Sequence, residues 1–569
     1  MNYKKKLFKA EHIRDLKVLV ERAARLYGDD VLYEQIINKT ETETVSHNQI
    51  LERTNAIGTQ LIAMGLKGKQ IAVVGETSIE WMEAYLSIVN GTGVAVPLDK
   101  ELQYDTLAKQ INISETEAIF CSVKMYKKVK QALAECPNVK YCIVMRAGDS
   151  FDYKAENCLS FTDVLEKGRE LVANGDRSFI DAEIDPEVMS EIVFTSGTTG
   201  ANKGVMLSHK NICATIYSSM RLIRPSGNTL SVLPINHAYE KNTHLLCALY
   251  IGRTVCFNDD LKHVLHNYER FAPTFSIVVP LFLETMVRKI NVEAEKSGLS
   301  SHVRYGVKVS NLMRKIGIDK RRYFFKPILD KFGGNLNQIV CGGAPLSKEV
   351  AKTLTSYGID IVEGYGITEC SPLVAANCTR FQKLGSVGMV VPGTKVRIDN
   401  PDKKGYGEIL VKGDNVMLGY YKDEESTKAV FTDDGWFKTG DIGSLDRDNF
   451  LYVSGRVKNL IILPNGKNVS PEELEDRLIA QIAYIKEVVV YADEDNTGIY
   501  AACYLDEDYL KANGVEDRYE YLMNDIAKFN TKIATFKRIT NVVIYDTEFE
   551  KTTTRKIKRF TVERRTANV

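Results

Sequence analysis

What this chain lacks excludes several classes before any motif is read. Its 11 cysteines include no C-x-x-C pair and their number is odd, which speaks against a disulfide framework or a zinc ribbon and for reduced thiols in a cytoplasmic protein. No stretch approaches the roughly 18 consecutive apolar residues of a membrane span. The basic start, Met1-Asn-Tyr-Lys-Lys-Lys-Leu-Phe8, lacks the apolar centre of a signal peptide. An excess of either charge is missing too: 75 Lys and Arg face 74 Asp and Glu, a formal net charge of +1, so overall electrostatics gives no case for nucleic acid or an anionic membrane as the main partner. No G-x-x-x-x-G-K-[ST] occurs, and Gly75-Glu-Thr-Ser78 is not a dinucleotide fingerprint. What remains is ordinary globular material, 44% hydrophobic and 26% charged, and its 569 residues are too many for one core.

The hydrophobic periods predict an α/β protein. Apolar residues at helical spacing (Ile13, Leu16, Leu19, Val20, Ala23, Leu26) open the chain, and a second helix fits residues 47–64. Ile71-Ala-Val-Val74, a helix over 78–89 and Val94-Ala-Val-Pro-Leu98 form a strand–helix–strand unit that implies a parallel sheet. Ala118-Ile-Phe-Cys121 and Tyr141-Cys-Ile-Val-Met145 repeat the pattern. Leu230-Ser-Val-Leu-Pro234, Phe275-Ser-Ile-Val-Val-Pro280, the strand from Gln338 and the strand from Ile359 each run into a loop of small or polar residues. Such loops converge on a crevice beyond the carboxyl ends of the strands. Residues 285–332, rich in Lys and Arg at helical spacing, read as a solvated helical excursion, with peripheral membrane contact as the alternative. From residue 381 the texture turns to short strands and tight turns, and residues 456–569 read as a compact α+β module ending in a basic tail.

The stretch with most chemistry is residues 192–209. A buried strand, Ile192-Val-Phe194, empties into Thr195, Ser196, Gly197, Thr198, Thr199 and Gly200, with Lys203 and Gly204 behind and a helix-like segment expected next. Glycines turn backbone N–H groups inward, hydroxyls add donors and a lysine adds charge, which is what a polyphosphate needs; the other reading is a Gly/Thr-rich turn.

The motif order carries more than any one loop. Residues 195–204, Leu233-Pro-Ile-Asn-His237, Gly342-Gly-Ala-Pro345, Tyr365-Gly-Ile-Thr-Glu369, Trp436-Phe-Lys-Thr-Gly-Asp441, Gly455-Arg-Val-Lys458 and the Lys556-Ile-Lys-Arg559 segment together resemble the adenylate-forming enzymes, over essentially the whole chain. Among these the chain looks most like long-chain fatty acyl-CoA synthetases.

The resemblance implies a large N-terminal domain, residues 1–457, with a β subdomain over 380–457, and a mobile C-terminal lid, residues 458–569. It implies ATP, Mg2+ and coenzyme A, with a medium- or long-chain fatty acid as substrate. The acid attacks the α-phosphate to give acyl-AMP and pyrophosphate, and a thiol then displaces AMP. An acyl carrier protein in place of coenzyme A is the alternative, and a non-catalytic binding relative a further one.

In that scheme Thr195, Ser196, Gly197, Thr198, Thr199, Gly200 and Lys203 hold the leaving phosphates. Gly342, Gly343, Ala344, Gly364, Tyr365 and Gly366 frame adenine, Asp441 holds the ribose, and Arg456 reaches the ribose or the phosphate. Thr368 meets the α-phosphate, Glu369 the metal, and His237 walls the acyl entrance. Lys556 stabilises the adenylation transition state, and Lys458 is the hinge. Read without the resemblance, Lys556 belongs to a solvated basic tail, His237 to a core, Glu369 to a helix cap and Asp441 to a turn. Trp436 reads as packing, and Glu240 stays open. The chain departs from the family pattern at Glu550, Arg555 and Asn459.

Overall fold

A computed structural model describes the chain outside residues 1–5, 39, 147–150, 152–157, 197–201, 299, 465–466, 494, 553–555 and 566–569. Two large sheets dominate it. In the eight-stranded sheet, Val94–Leu98, Gln70–Val74, Ala118–Ser122, Tyr141–Met145 and Cys158–Ser160 pair in parallel, with Met189–Ser196 joining on the other side of Val94–Leu98. The helices between these strands cover both faces, which is why the strands read as unbroken apolar runs: Ile71, Ala72, Val73 and Val74 are all fully buried. The predicted strands at 94–98 and 141–145 fall at those bounds.

The thirteen-stranded sheet begins with the pair Val31–Ile36 and Thr42–Ser46. It continues in parallel through Val255–Phe257, Thr229–Ser231, Phe275–Val278, Gln338–Cys341 and Asp360–Gly366. From Leu373–Ala376 onward the pairing is antiparallel, through Gly388–Val390, Phe450–Arg456, Phe437–Leu445 and Gly407–Gly413 to Thr394–Asp399. The short strands after residue 381 thus continue the ladder of the parallel half. Beyond them a three-stranded sheet, Ile485–Ala492, Ile499–Leu505 and Asn541–Tyr545, packs on the helices Pro471–Gln481 and Arg518–Asn530 around its own core, including Leu474, Leu478, Val490, Leu522 and Phe529.

Helix starts follow their capping residues. Asp15 accepts from the Val18 N–H ahead of Leu16–Tyr27, and Ser46 with Gln49 forms a capping box at the start of His47–Ala63. One expectation is overturned. No helix begins behind Gly204: residues Asn202–Ser208 form a strand paired antiparallel with Met189–Ser196, and the helix starts only at His209. The cause is alternation, since Val205 and Leu207 are fully buried while Met206 is not, and Gly419–Tyr420 pairs along the open side. Ser208 then caps the helix in a box with Asn211. Among the described residues no helix is long and apolar enough to cross a membrane.

Candidate active site

The antiparallel hairpin just described holds the phosphate-loop candidates at its tip. Thr195 is paired with Lys203 and Ser196 with Asn202, while Gly197, Thr198, Thr199 and Gly200 lie outside the described residues. Gly204 stays glycine because a β-carbon there would stand 2.8 Å from the Ile192 side chain. The Lys203 ammonium donates to Ser426 Oγ (2.7 Å) and lies 4.8 Å from the Tyr420 ring centre, which sets it beside the hairpin.

Across from it stands the strand Asp360–Gly366, whose end carries Gly364, Tyr365 and Gly366. Gly366 passes so close to the strand Leu373–Ala376 that a β-carbon would lie 2.2 Å from the Pro372 carbonyl oxygen. Thr368 and Glu369 follow in a tight helical turn, Thr368–Cys370. The Glu369 Oε1 accepts from the Tyr420 hydroxyl at 3.0 Å, and its carbonyl accepts from Met417 N–H. Gly342, Gly343 and Ala344 leave the end of the neighbouring strand Gln338–Cys341, with Gly343 at φ +86°. A β-carbon on Gly342 would meet the Tyr239 hydroxyl at 3.0 Å.

Asp441 is buried and engaged at both carboxylate oxygens. It is 4% exposed, and the antiparallel register sets it opposite Arg456. Its Oδ1 lies 3.0 Å from Arg456 Nε, and its Oδ2 accepts from the Tyr365 hydroxyl at 2.6 Å. Burial raises its pKa, against the pull of Arg456, the Tyr365 hydrogen bond and Lys556. The same pairing, together with burial, holds the Tyr365 phenol well above its ordinary value.

Lys556 arrives from the far end of the chain. The Lys551–Ile557 bridge and a hydrogen bond from Thr552 N–H to the Lys556 carbonyl set residues 551–552 against residues 556–557. The Lys556 N–H in turn donates to Thr552 Oγ1 at 3.2 Å. The lysine side chain is solvent-exposed, but protein crowds around it in the crevice. That crowding lowers its pKa first, Arg456 repels its charge, and Asp441 attracts it. His237 shares this field: burial lowers its pKa, Asp99 raises it and Lys556 lowers it further, so the ring is neutral near pH 7. Lys556, Asp441, Arg456, Tyr365 and His237, which span 320 residues of sequence, thus meet in one crevice.

Beside the crevice lies a cavity of about 1200 Å³ lined mostly by apolar groups, which meets it at Asn236, next to His237, and at Thr552, which accepts from the Lys556 N–H. Its deep walls are Val232, Leu233, Val278, Phe282, Met286 and Ile290, and its polar rim includes Asp99, Asn236, Lys551 and Thr552. That is larger than most ligand pockets, which run to about 1,000 Å³. Sequence reasoning missed these walls, because an apolar residue lining a cavity has the same periodicity as one packed in a core.

Other expectations resolve plainly. Glu240 is fully buried and its Oε1 lies 2.8 Å from His244 Nδ1, whose Nε2 lies 2.9 Å from Thr229 Oγ1, so it braces the core. Trp436 packs under the Arg397 guanidinium at 4.7 Å. The basic tail is anchored rather than solvated: Arg559 Nη1 holds both oxygens of Glu475 at 2.6 and 2.7 Å, and Lys551 pairs with Glu487. Asn459 donates to Glu472 Oε1 at 2.5 Å, which an acidic residue in its place could not do. Glu550 faces Lys558 at 3.5 Å, bracing the Lys556 loop, while Arg555 lies outside the described residues. Lys458 sits in the turn Val457–Asn459 between the last strand of the large sheet and the C-terminal module.

Among the described residues no group of three or more His, Cys, Asp or Glu could hold a metal ion. A lone carboxylate, Glu369, with one oxygen engaged by Tyr420, suits the ion that takes one or two protein oxygens and completes its shell with phosphate and water, namely Mg2+.

The AMP-binding enzyme family matches residues 20–421, and the AMP-binding enzyme C-terminal domain family matches residues 458–569. The long chain acyl-CoA synthetase 6 (peroxisomal) of Arabidopsis thaliana is 29% identical over 485 residues, 80% of this chain and 68% of that protein. The long-chain-fatty-acid–CoA ligase 6 of Mus musculus is 28% identical over 514 residues, 84% of this chain and 72% of that protein. Among solved structures, an anthranilate CoA ligase in complex with anthranoyl-AMP shares the fold with a TM-score of 0.75 at 19% identity, over 97% of each chain.

Proposed function

The chain belongs to the AMP-binding enzyme family and is an adenylate-forming acid–thiol ligase, and from that premise we propose that it activates long-chain fatty acids with ATP and transfers them to coenzyme A. The observation that carries the choice of acid is the cavity of about 1200 Å³, whose mostly apolar lining includes Asn236 and Thr552, the neighbours of His237 and Lys556. A long hydrocarbon chain suits that mostly apolar lining, which a short polar acid would leave largely uncovered.

On this reading the fatty acid lies with its chain between Phe282, Met286 and Ile290 and its carboxylate near Asn236 and Lys556. The carboxylate oxygen attacks the α-phosphorus of ATP. The bond to the bridging oxygen breaks, and pyrophosphate leaves toward the hairpin of Thr195, Ser196 and Lys203. Negative charge gathers on the α-phosphate and the bridging oxygen, and the Lys556 ammonium favours that state over the ground state. Asp441 holds the ribose, with Arg456 and Tyr365 orienting it. Tyr365 offers adenine a flat face between Gly342 and Gly364, and Thr368 donates to the α-phosphate. Glu369 would hold Mg2+, which supplies charge neutralisation at the phosphates. Neutral His237 shapes the acyl entrance without taking a proton.

Rotation of residues 458–569 about Lys458 then withdraws Lys556 and admits the thiol. The thiolate sulfur attacks the acyl carbon, the C–O bond to phosphate breaks, and AMP leaves with the electron pair. The scattered, unpaired cysteines, all buried, support a reducing, cytoplasmic setting. The test is product analysis with palmitate and ATP, once with free coenzyme A and once with a phosphopantetheinylated carrier protein. Palmitoyl-CoA as the product supports the proposal. Thioester on the carrier alone supports the carrier-loading reading, and no pyrophosphate exchange with any acid supports a non-catalytic one.

A further inference from the structure

The helical excursion between the strands Phe275–Val278 and Gln338–Cys341 has two unlike halves. The helix Pro280–Lys296 turns Phe282, Met286 and Ile290 into the cavity. The next helix, Ser300–Lys315, buries a single residue, Ser310. Along its outer side Tyr305, Leu312 and, just beyond it, Ile316 follow one another at helical spacing and are 70%, 65% and 72% exposed. Lys308 and Lys315 flank that stripe and form no ion pair among the described residues. The following turn adds Tyr323, 78% exposed, and Phe324.

This exposure is enforced rather than incidental. Arg321 donates to Asp319, Asp360 and the Thr355 carbonyl, and Arg322 to the Leu336, Gly334 and Gly358 carbonyls, so the backbone that presents Tyr323 is pinned to the body of the protein. A contiguous apolar stripe held out to solvent marks an interaction surface. The overall charge of +1 hides what surrounds it: residues 300–326 hold eight Lys or Arg against one acid, Asp319. With Arg321 and Arg322 turned to the body and Lys326 paired with Asp330, Arg304, Lys308, Arg314, Lys315 and Lys320 remain around the stripe. A stripe of Tyr, Leu, Ile and Phe bordered by lysines is the composition of a helix that lies in a lipid headgroup layer.

We propose that the face formed by residues 300–326 docks this enzyme on an anionic lipid bilayer, with the cavity wall directly behind it, so that fatty acid passes from the membrane into the acyl cavity. The link to acyl delivery rests on the function proposed above, while the docking itself does not. Apolar residues enter the headgroup layer, and the lysines meet lipid phosphates. Each lysine near a charged surface contributes about fivefold in partition.

The test is co-sedimentation of the full chain with phosphatidylglycerol vesicles and with pure phosphatidylcholine vesicles, at low and high salt. The native chain should bind the anionic vesicles, lose most of that binding at high salt, and bind neutral vesicles weakly. Leu312→Asp with Ile316→Asp should weaken partition at least about tenfold. Lys308→Glu with Lys315→Glu should weaken it by a similar factor on anionic vesicles only. Both pairs are exposed, so thermal melting should match the native chain and confirm folding. Activity with a water-soluble acid such as octanoate should stay unchanged in both variants, while use of palmitate supplied in vesicles falls.

Absence of binding by the native chain, or binding of both variants to anionic vesicles as strong as that of the native chain, would overturn the proposal. So would self-association abolished by Leu312→Asp with Ile316→Asp without vesicle binding, which would assign the face to a second copy. Because sedimentation reads no catalysis, failure here leaves the acyl-CoA reading standing, and inactivity with all acids leaves the docking result standing.

Discussion

Lys556 is where single-residue chemistry is most exposed to test. Its ammonium sits in a crevice that lowers its pKa through crowding and the Arg456 charge. Removing one preorganised electrostatic donor costs about 10²–10³ in rate. Lys556→Ala should therefore cut carboxylate-dependent ATP–pyrophosphate exchange by about that factor and leave thioester formation from synthetic acyl-AMP within about twofold, well under one RT unit of barrier. The same environment sets a pH dependence. The protonated form is the one required, so exchange holds below the lowered pKa and falls as pH rises through it, on the alkaline side. A profile of exchange against pH should place that limb below the ordinary lysine value, and Lys556→Arg should move it upward. Sequence alone left Lys556 beside Arg555, Lys558 and Arg559 as one cation among several. Only the fold separates it, by sending Arg559 to Glu475 and Lys558 toward Glu550.

At the scale of elements, the parallel strands were legible because burial on both faces leaves unbroken apolar runs, as in Ile71 to Val74. The strand Phe437–Leu445, which carries Asp441, was not, since Gly440 and Gly443 interrupt its pattern. The hairpin strand Asn202–Ser208 was misread as the onset of a helix, because four residues of Val-Met-Leu-Ser fit either period. The helix Pro280–Lys296 was legible as a helix, but not as a cavity wall. Met286→Trp should fill the cavity from that helix. Exchange with palmitate should fall by roughly tenfold or more, the effect of a few lost methylene contacts, while octanoate is spared; a uniform loss across chain lengths would mean the cavity does not hold the acid. The turn Val457–Asn459 is the other element to test. Lys458→Pro fixes φ and removes a donor, and should slow thioester formation from acyl-AMP by about tenfold or more while sparing exchange.

For the whole molecule, the order of motifs was readable, and their meeting point was not. Residues from 237 to 556 come together because His237, Tyr365, Asp441 and Arg456 all lie on or just after strands of the thirteen-stranded sheet, and the C-terminal module adds Lys556 to them. That module is held to its own tail by the Arg559–Glu475 pair, which Sequence periodicity gives no way to match across 84 positions. Arg559→Ala should lower stability by about 2 kcal/mol, the range for hydrogen bonds to a charged group. Thermal unfolding should show that loss together with weakened exchange, because the Lys556 loop hangs from the same tail.

The proposed reaction is adenylation of a fatty acid whose chain lies in the apolar cavity. Carboxylate-dependent ATP–pyrophosphate exchange, measured with a series from acetate through octanoate and palmitate to stearate plus benzoate, tests it most directly. Exchange should rise with chain length, peak among the long-chain acids and fall by about 10²–10³ in Lys556→Ala. A peak at acetate or benzoate, or exchange in Lys556→Ala close to that of the native chain, would mean that the acid or the lysine is wrongly assigned.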